Sequence, residues 1–169
     1  MCCHRKTTTQ LMDIKVYTDG SALGNPGPGG YGIVLMAKGK YKEVKEGFRF
    51  TTNNRMELMS VIVALEMLKK PGMSVTIYSD SKYVVDSVVK KWVFGWVKKG
   101  FKGKKNVDLW KRFLVIYPKH TVNFVWVKGH AGNKYNEVCD QLAVAGANAK
   151  NQKIDEGYEK ENGKMGGMF

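Results

Sequence analysis

The stretch Val16-Tyr-Thr-Asp19-Gly-Ser21 has the same form as Ile77-Tyr-Ser-Asp80-Ser-Lys82, and this pair decides the fold. In each stretch a predicted strand ends at an aspartate. Helical sequence lies between the two strands, which is the connection expected of parallel neighbours, so both aspartates are predicted at the same edge of a sheet. Two like charges placed there are costly unless a cation lies between them. Alternatively, each aspartate only caps the turn after its strand, which is the commoner role for either one alone.

Alternating and helical patterns on both sides of these stretches predict the remaining elements. The first three strands follow one another through turns, and the later strands are joined through helices. This order, βββαβααβα, predicts an α/β fold in which a five-stranded mixed sheet is covered by helices on both faces. The predicted strands are 13–19, 31–36, 41–50, 73–79 and 121–127, and the predicted helices run from Asn54 to the Pro71-Gly72 stop, from Ser81 to about Val97, and over 107–117 and 135–150.

A surplus of basic residues indicates a polyanionic partner. The 169 residues include 28 Lys and Arg against 15 Asp and Glu, a formal net charge of +13. Such a charge on so small a body favours nucleic acid, with a basic surface of no special function as the alternative. We expect one domain at 12–150, a flexible N-terminus at 1–11 and a polar, glycine-rich tail at 151–169 that is predicted to be disordered.

The cysteines and the hydropathy exclude two classes of protein. Three cysteines, two of them at Cys2 and Cys3, do not form the framework of a small secreted disulfide protein. No stretch approaches the ~20 apolar residues of a membrane span, and the start of the chain lacks the apolar core of a signal peptide. We therefore expect a soluble cytoplasmic protein, and because nothing indicates an oligomer, a monomer.

Two further acids and one histidine are ambiguous when each is taken singly. Glu57 is predicted to face the sheet from the start of its helix, but Asn54-Arg-Met-Glu57 also fits a capping box. Asp140 lies early in the last predicted helix, where the helix dipole alone favours an anion. His130 lies between glycines in a loop, where a lone histidine is usually solvated.

Seven stretches occur together in an order and spacing that match one known family. They are Thr18-Asp-Gly-Ser21, Gly24-Asn-Pro-Gly-Pro-Gly-Gly-Tyr-Gly32, Thr51-Thr-Asn-Asn-Arg-Met-Glu-Leu58, Ser79-Asp-Ser81, Asn106-Val-Asp-Leu-Trp110, Trp126-Val-Lys-Gly-His-Ala-Gly132 and Asn136-Glu-Val-Cys-Asp140. Through them the chain resembles type 1 ribonuclease H, the bacterial-style enzyme, from Ile14 to about Lys150.

The resemblance implies an endonuclease that hydrolyses the RNA strand of an RNA–DNA hybrid with little sequence preference, leaving 5′-phosphate and 3′-hydroxyl ends. It makes His130 the mobile residue that handles protons in catalysis. Mg²⁺ prefers oxygen ligands, and two such ions roughly 3.5–4 Å apart can clamp the attacking and leaving oxygens at phosphorus. Mn²⁺ is the expected substitute. The implied metal-binding and catalytic acids are Asp19, Glu57, Asp80 and Asp140.

The resemblance also implies how the hybrid is bound. The minor groove exposes the 2′-hydroxyls of the RNA, which backbone and amide groups can recognise without reading bases. Thr52 and Asn106 correspond to positions that bind a DNA phosphate. Lys82 stands where many relatives carry glutamine, and a lysine can donate a hydrogen bond but not accept one. The implied contacts to the RNA are Gly20, Ser21, Asn25, Asn53, Asn54 and Lys82.

A stretch at about 90–105 resembles the basic protrusion with which the family grips the DNA strand. Its lysines are interleaved with aromatic residues, and the stretch contains no acidic residue. The alternative is a solvated lysine face above core aromatics, and Trp92 is expected to be at least partly core. The implied substrate contacts here are Lys90, Lys91, Trp92, Trp96, Lys98, Lys99 and Lys102.

Two rival functions remain at the level of sequence. A hybrid-binding module without catalysis would follow if the acid set were broken, but all four acids and His130 are present. A related nuclease on the same fold, such as a junction resolvase or integrase core, is disfavoured by the intact glycine–proline loop and the basic protrusion.

Overall fold

A five-stranded mixed sheet forms the centre of the protein in the computed structural model, which describes residues 13–129 and 132–163. The strand order is β3-β2-β1-β4-β5. The strands are β1 (Asp13–Ala22), β2 (Gly27–Ala37), β3 (Lys40–Thr51), β4 (Ser74–Ser79) and β5 (Thr121–Trp126). The first three are antiparallel neighbours, and β4 pairs in parallel with both β1 and β5. The predicted fold class is confirmed.

The parallel pairing of β1 with β4 determines where the two matching aspartates lie. Val16 pairs with Ile77, and Tyr17 pairs with Tyr78. Asp19 and Asp80 each come two residues after the second of these pairs, so they lie at the same carboxyl edge of the sheet. This prediction from the sequence is confirmed.

Helices cover both faces of the sheet, as predicted. Neighbouring residues of a strand point to opposite faces, and on β1 the side chain of Val16 packs into one core cluster while that of Tyr17 packs into another. The first cluster lies under α1 (Asn53–Glu66) and α4 (Val107–Ile116), and the second lies under α5 (Lys134–Ala147).

The single helix predicted from Ser81 to about Val97 is wrong, because the chain forms two helices there. They are α2 (Lys82–Val89) and α3 (Trp92–Lys98), and Lys91 between them has a left-handed backbone with φ of 60°. A residue in that conformation cannot continue an α-helix. The break brings Val93 into the core with no exposed surface, while Trp92 remains 47% exposed. The expectation that Trp92 belongs partly to the core is therefore also wrong.

The disordered tail predicted at 151–169 is wrong for its described part, residues 151–163. Lys153 bridges to Phe48 of β3, and a sixth helix, α6 (Glu156–Glu161), follows. Asp155 and Glu159 are buried against arginines of the domain. Composition failed here because the segment is held by buried ion pairs, whereas the prediction of disorder rested on its lack of apolar residues. The domain thus extends beyond the predicted boundary at residue 150.

Several predictions lie outside the described residues. They concern the N-terminus at 1–11, His130 and the last part of the tail, residues 164–169. Among the helices of the described ranges, none is long and apolar enough to cross a membrane.

The ion pair between Arg49 and Glu159 is asymmetric, which makes a prediction for stability. Arg49 donates from Nε and Nη2 to the two Glu159 carboxylate oxygens at 2.8 and 2.9 Å, and the side chains are 52% and 0% exposed, respectively. Arg49→Met should cost more unfolding free energy than Glu159→Gln, because it leaves a buried carboxylate without its cation. Glu159→Gln should cost only ~1 kcal/mol, because water can solvate the remaining guanidinium. Urea denaturation measures both losses, and equal losses would contradict the asymmetry.

Candidate active site

The start of α1 lies directly against the end of β1, and Gly20 makes this approach feasible. A Cβ atom at Gly20 would lie 2.4 Å from the backbone nitrogen of Glu57. The N-cap of α1 is Thr52, whose hydroxyl accepts a hydrogen bond from the Arg55 N–H at 3.3 Å. The capping box suggested for Asn54 and Glu57 is therefore wrong. Glu57 is the fifth residue of α1, beyond the first turn, so its side chain does not cap the helix.

Three carboxylates meet at this edge of the sheet. Asp19, Glu57 and Asp80 each offer an oxygen, and these oxygens all lie within 4.8 Å of one another. Asp19 also accepts a hydrogen bond from the Gly20 N–H at 2.9 Å. The structure thus brings together three of the four acids that the sequence predicts, from two parallel strands and one helix.

Burial and mutual repulsion disfavour the charged forms of these acids. Burial, followed by the nearby charge of Asp80, raises the pKa of Asp19 to about 7. Burial, followed by the charges of Asp19 and Asp80, raises the pKa of Glu57 well above its ordinary value. Each carboxylate would regain its ordinary acidity if a cation lay among them.

The donor atoms at this cluster fit a hard divalent cation. Glu57 Oε2 is buried and has no hydrogen-bond partner among the described residues. A buried carboxylate oxygen without a partner is costly, and a metal ion would supply the missing interaction. The three ligand atoms of this cluster are carboxylate oxygens, which are ligands that Mg²⁺ and Mn²⁺ prefer.

Asp140 approaches the same cluster from the opposite face of the sheet. Gly32 allows α5 to lie close to β2, since a Cβ atom there would be 2.2 Å from the carbonyl oxygen of Cys139. Asp140 lines the cleft with Asp19 and Asp80, and its charge contributes to the raised pKa of Asp19. It lies outside the group of three oxygens within 4.8 Å.

The helix-dipole explanation for Asp140 does not fit the observed helix. The N-cap of α5 is Asn133, whose side chain accepts from the N–H groups of Tyr135 and Asn136. Asp140 is therefore the seventh residue of α5, and the favourable effect of the dipole fades within the first turn.

The position of His130 is outside the described residues, but the chain on both sides of it belongs to the cleft. Gly129 and Asn133 line the same cavity as Asp19 and Asp80. A Cβ atom at Gly129 would lie 2.9 Å from Asp80 Oδ2. The predicted role of His130 stays a prediction.

Most of the residues implied to contact RNA lie around the acid cluster. The cleft with the acids is also lined by Gly20, Ser21, Asn53, Asn54 and Lys82. The ammonium of Lys82 lies 5.0 Å from the ring centre of Trp126, whose indole N–H donates to the Asp80 carbonyl at 3.2 Å. Tyr83 lines the cleft as well and was missed, because nothing in the helical pattern separates it from its apolar neighbours.

A second pocket brings the residues implied to bind DNA phosphate to one place. Thr52, Asn54 and Asn106 line it together with Asn25 and Lys105. Three residues of the carboxy-terminal segment, Tyr158, Glu161 and Asn162, form the remaining wall with Pro26. The sequence missed this wall because it predicted a disordered tail.

The basic protrusion forms on α3 and the turns that flank it, and its Lys105 lines the second pocket. Lys98, Lys99 and Lys102 are exposed there. Lys90 forms an ion pair with Asp86 at 3.6 Å. Trp96 packs edge-on against Trp110, with ring centres 5.8 Å apart, so it belongs partly to the core. The lysines of the protrusion are exposed, as are its apolar residues Trp92 and Val97.

Comparison with known proteins identifies a consistent set of relatives. The family model for RNase H matches residues 12–148. Ribonuclease H of Shewanella sp. (strain ANA-3) is 52% identical over 159 residues, which cover 91% of this chain and 99% of that protein. Ribonuclease HI of Shewanella oneidensis matches with the same identity and coverage.

Solved structures resemble the fold over most of its length. LC9-RNase H1, described as a type 1 RNase H with the type 2 active-site motif, is 34% identical with a TM-score of 0.74, covering 89% of this chain and 81% of that one. LC11-RNase H1 in complex with an RNA/DNA hybrid is 28% identical with a TM-score of 0.58, covering 78% of this chain and 94% of that one.

The raised pKa of Asp19 predicts a pH-dependent gain in stability for Asp19→Asn. In the metal-free protein this pKa is about 7, against about 4 in an unfolded chain. The folded state therefore binds more protons in this interval, and its stability falls as the pH rises through it. In chelator, Asp19→Asn should be more stable than the unaltered protein, and this difference in unfolding free energy should be larger at pH 8 than at pH 5. The increase between the two pH values should be on the order of 1–2 kcal/mol.

Thermal unfolding at the two pH values measures this difference, with Asp13→Asn on the exposed end of β1 as the matched control. Excess Mg²⁺ should stabilise the unaltered protein and Asp13→Asn at pH 8 more than Asp19→Asn. If Asp19→Asn and the unaltered protein differ in unfolding free energy by the same amount at pH 5 and pH 8, then the pKa of Asp19 is not raised by its surroundings.

Proposed function

Because this chain belongs to the RNase H family and is a type 1 ribonuclease H, we propose that it hydrolyses the RNA strand of RNA–DNA hybrids by two-metal-ion catalysis. The observation that carries the proposal is the cluster of Asp19, Glu57 and Asp80 oxygens, with the Glu57 Oε2 atom lacking a partner among described residues. Repelling carboxylates with an unsatisfied oxygen suit divalent cations and little else.

Asp19, Glu57 and Asp80 would hold the metal ions, with Asp140 at the rim of the same cleft. When bound, two divalent ions supply positive charge that lowers the pKa of a water nucleophile and stabilises the leaving oxygen. Mg²⁺ is the proposed ion, and Mn²⁺ its substitute. Protons would be handled by His130, a role that rests on the family resemblance. Attack by water at phosphorus opposite the 3′ oxygen breaks the bond to that oxygen, which leaves a 3′-hydroxyl and a 5′-phosphate.

Polar groups beside the acids would recognise the RNA by its 2′-hydroxyls. Ser21 Oγ lines the cleft and has no hydrogen-bond partner within the described chain. The Asn53 and Asn54 amides lie beside it and can both donate and accept. None of these groups needs to read a base edge, so we expect cleavage with little sequence preference. Lys82 would donate to a hydroxyl or a phosphate oxygen.

The DNA strand would be bound by the second pocket and by the basic protrusion. A phosphate needs hydrogen-bond donors and positive charge, and Thr52, Asn106 and Lys105 supply both at the pocket. The exposed lysines of α3 and the following turn add a longer-range attraction. LC11-RNase H1, a structural relative, is known in complex with an RNA/DNA hybrid. We further propose that the enzyme acts as a monomer in the cytoplasm, where a reducing environment suits a chain whose three cysteines do not form a disulfide framework.

The proposed chemistry predicts metal-dependent cleavage of one substrate class. The unaltered protein should cut the RNA strand of a labelled hybrid in Mg²⁺, stop in excess chelator, and leave single-stranded RNA, duplex RNA and duplex DNA largely intact. Asp80→Asn should lower kcat by roughly a thousandfold or more, because it removes a ligand from the site where transition-state charge is stabilised. Asp13→Asn, at the exposed start of β1, is the matched control. Unchanged cleavage by Asp80→Asn would refute the mechanism.

The protrusion predicts a change in the salt dependence of binding. Replacing Lys98, Lys99 and Lys102 with alanine should weaken hybrid binding at low salt and reduce the slope of log K against log salt by about one unit for each phosphate that is no longer neutralised. Fluorescence anisotropy in Ca²⁺, across a series of salt concentrations, measures the slope. The triple alanine variant of Lys40, Lys42 and Lys45, exposed on β3, is matched in charge. An equal slope for the two triple variants would show that the protrusion does not bind the hybrid.

A further inference from the structure

The carboxy-terminal segment is positioned to act on substrate, in addition to completing the fold. Tyr158, Glu161 and Asn162 line the pocket that also contains Thr52 and Asn106. The ring of Tyr158 packs on that of Phe50, with centres 5.2 Å apart. One wall of the pocket proposed for a DNA phosphate is therefore made by residues that the family model, which ends at residue 148, does not include.

A buried arginine connects this segment to the rest of the pocket. Arg55 is only 1% exposed. Its Nε and Nη2 donate to the Asp155 carboxylate, both at 2.7 Å, and its Nη1 and Nη2 donate to Asp108 at 2.8 and 2.7 Å. Asp155 also accepts from the Thr51 hydroxyl at 2.7 Å. Two carboxylates thus hold the guanidinium in one orientation.

The same arginine contacts the two residues implied to bind phosphate. Its backbone N–H donates to the Thr52 hydroxyl at 3.3 Å, and its Nη1 donates to Asn106 Oδ1 at 3.5 Å. Asn106 has a left-handed backbone with φ of 60°, and its Nδ2 donates to the Tyr83 hydroxyl at 3.0 Å. The orientation of the Asn106 amide therefore depends on Arg55 from one side and Tyr83 from the other.

The carboxy-terminal segment packs closely against this arginine. A Cβ atom at Gly157 would lie 2.1 Å from Asp108 Oδ2 and 3.1 Å from Arg55 Nη2. Any side chain at residue 157 must therefore push α6 away from the arginine or move Asp108. Docking of the tail and the geometry of the pocket are mechanically connected.

We propose that residues 153–162 form a working wall of the pocket for a DNA-strand phosphate, with Arg55 and Asp155 as positioning residues that act through Asn106 and Thr52. The inference rests on the proposed function, because it takes the hybrid as substrate. Glu161 is exposed on this wall and is the one acid among the residues lining the described pocket. Its charge opposes that of the phosphate and limits affinity, as a like charge at the rim of an interface does.

Displacing the segment should weaken substrate binding without slowing chemistry. Gly157→Ala and Asp155→Asn should raise KM for the hybrid by roughly fivefold or more, and kcat should stay within about twofold, since the acid cluster is untouched. Leu35→Ala, in the partly buried part of β2, is the control for reduced stability. A purely structural role would lower the active fraction, and with it the apparent kcat, at a constant KM; that result would overturn the proposal.

Glu161 provides a test that does not depend on folding. Glu161→Lys should lower KM by about two- to fivefold at low salt. The gain should vanish on a hybrid whose DNA strand carries neutral methylphosphonates, because the added charge then has no partner. An unchanged KM, or a gain that persists on the neutral DNA strand, would show that α6 does not face this strand.

The two proposals fail in different ways. If the unaltered protein does not cut a hybrid in Mg²⁺, the proposed function is wrong and this inference with it. If the unaltered protein cuts and KM is the same for it, Gly157→Ala, Asp155→Asn and Glu161→Lys, only the role of the carboxy-terminal segment is wrong.

Discussion

Repulsion among carboxylates at one edge of the sheet is the constraint on which the functional part of this structure depends. Asp19 and Asp80 follow the carboxyl end of the pairing between the parallel strands β1 and β4, and Glu57 lies on a helix that packs directly on Gly20. Their oxygens lie within 4.8 Å of one another, and burial adds to the cost of charging them. Packing of the hydrophobic cores on both sides of the sheet offsets this electrostatic cost, because it fixes the strands and the helix regardless of the charge between them.

Two other buried charges, in contrast to the acid cluster, are paired with groups of opposite charge. Arg55 is almost fully enclosed, but two carboxylates and an amide oxygen satisfy its donors. Glu159 is fully enclosed and is paired with Arg49. Where acids cluster without a cation the site is poised to bind one, and where an arginine lies between acids the network holds two parts of the chain together. The two arrangements are neighbours, joined through Thr52 and the first turn of α1.

Local patterns were sufficient where the physical cause is local. The strands, the helical face of α1 and the shared edge of Asp19 and Asp80 follow from periodicity and from the rule for parallel connections. The break between α2 and α3 at Lys91 could not be predicted from the sequence. A lysine gives no indication of a left-handed backbone, and the burial of Val93 arises only in the assembled core. The tail did not follow either, since its polar residues become ordered only against Arg49 and Arg55, about a hundred residues away in sequence.

The sequence by itself determined the fold class and the family and predicted the set of acids, because apolar periodicity, strand connection and motif spacing are properties of the chain alone. It could not distinguish a metal ligand from a cap or a dipole partner for Glu57 and Asp140, since both interpretations use the same residue type at nearly the same helical position. Tertiary structure excluded the cap and the dipole interpretations, because Thr52 and Asn133 are the N-caps of the two helices and Glu57 and Asp140 therefore lie beyond the first turn. It alone also placed the carboxy-terminal segment beside the pocket of Thr52 and Asn106, because buried ion pairs form between residues that no local pattern connects.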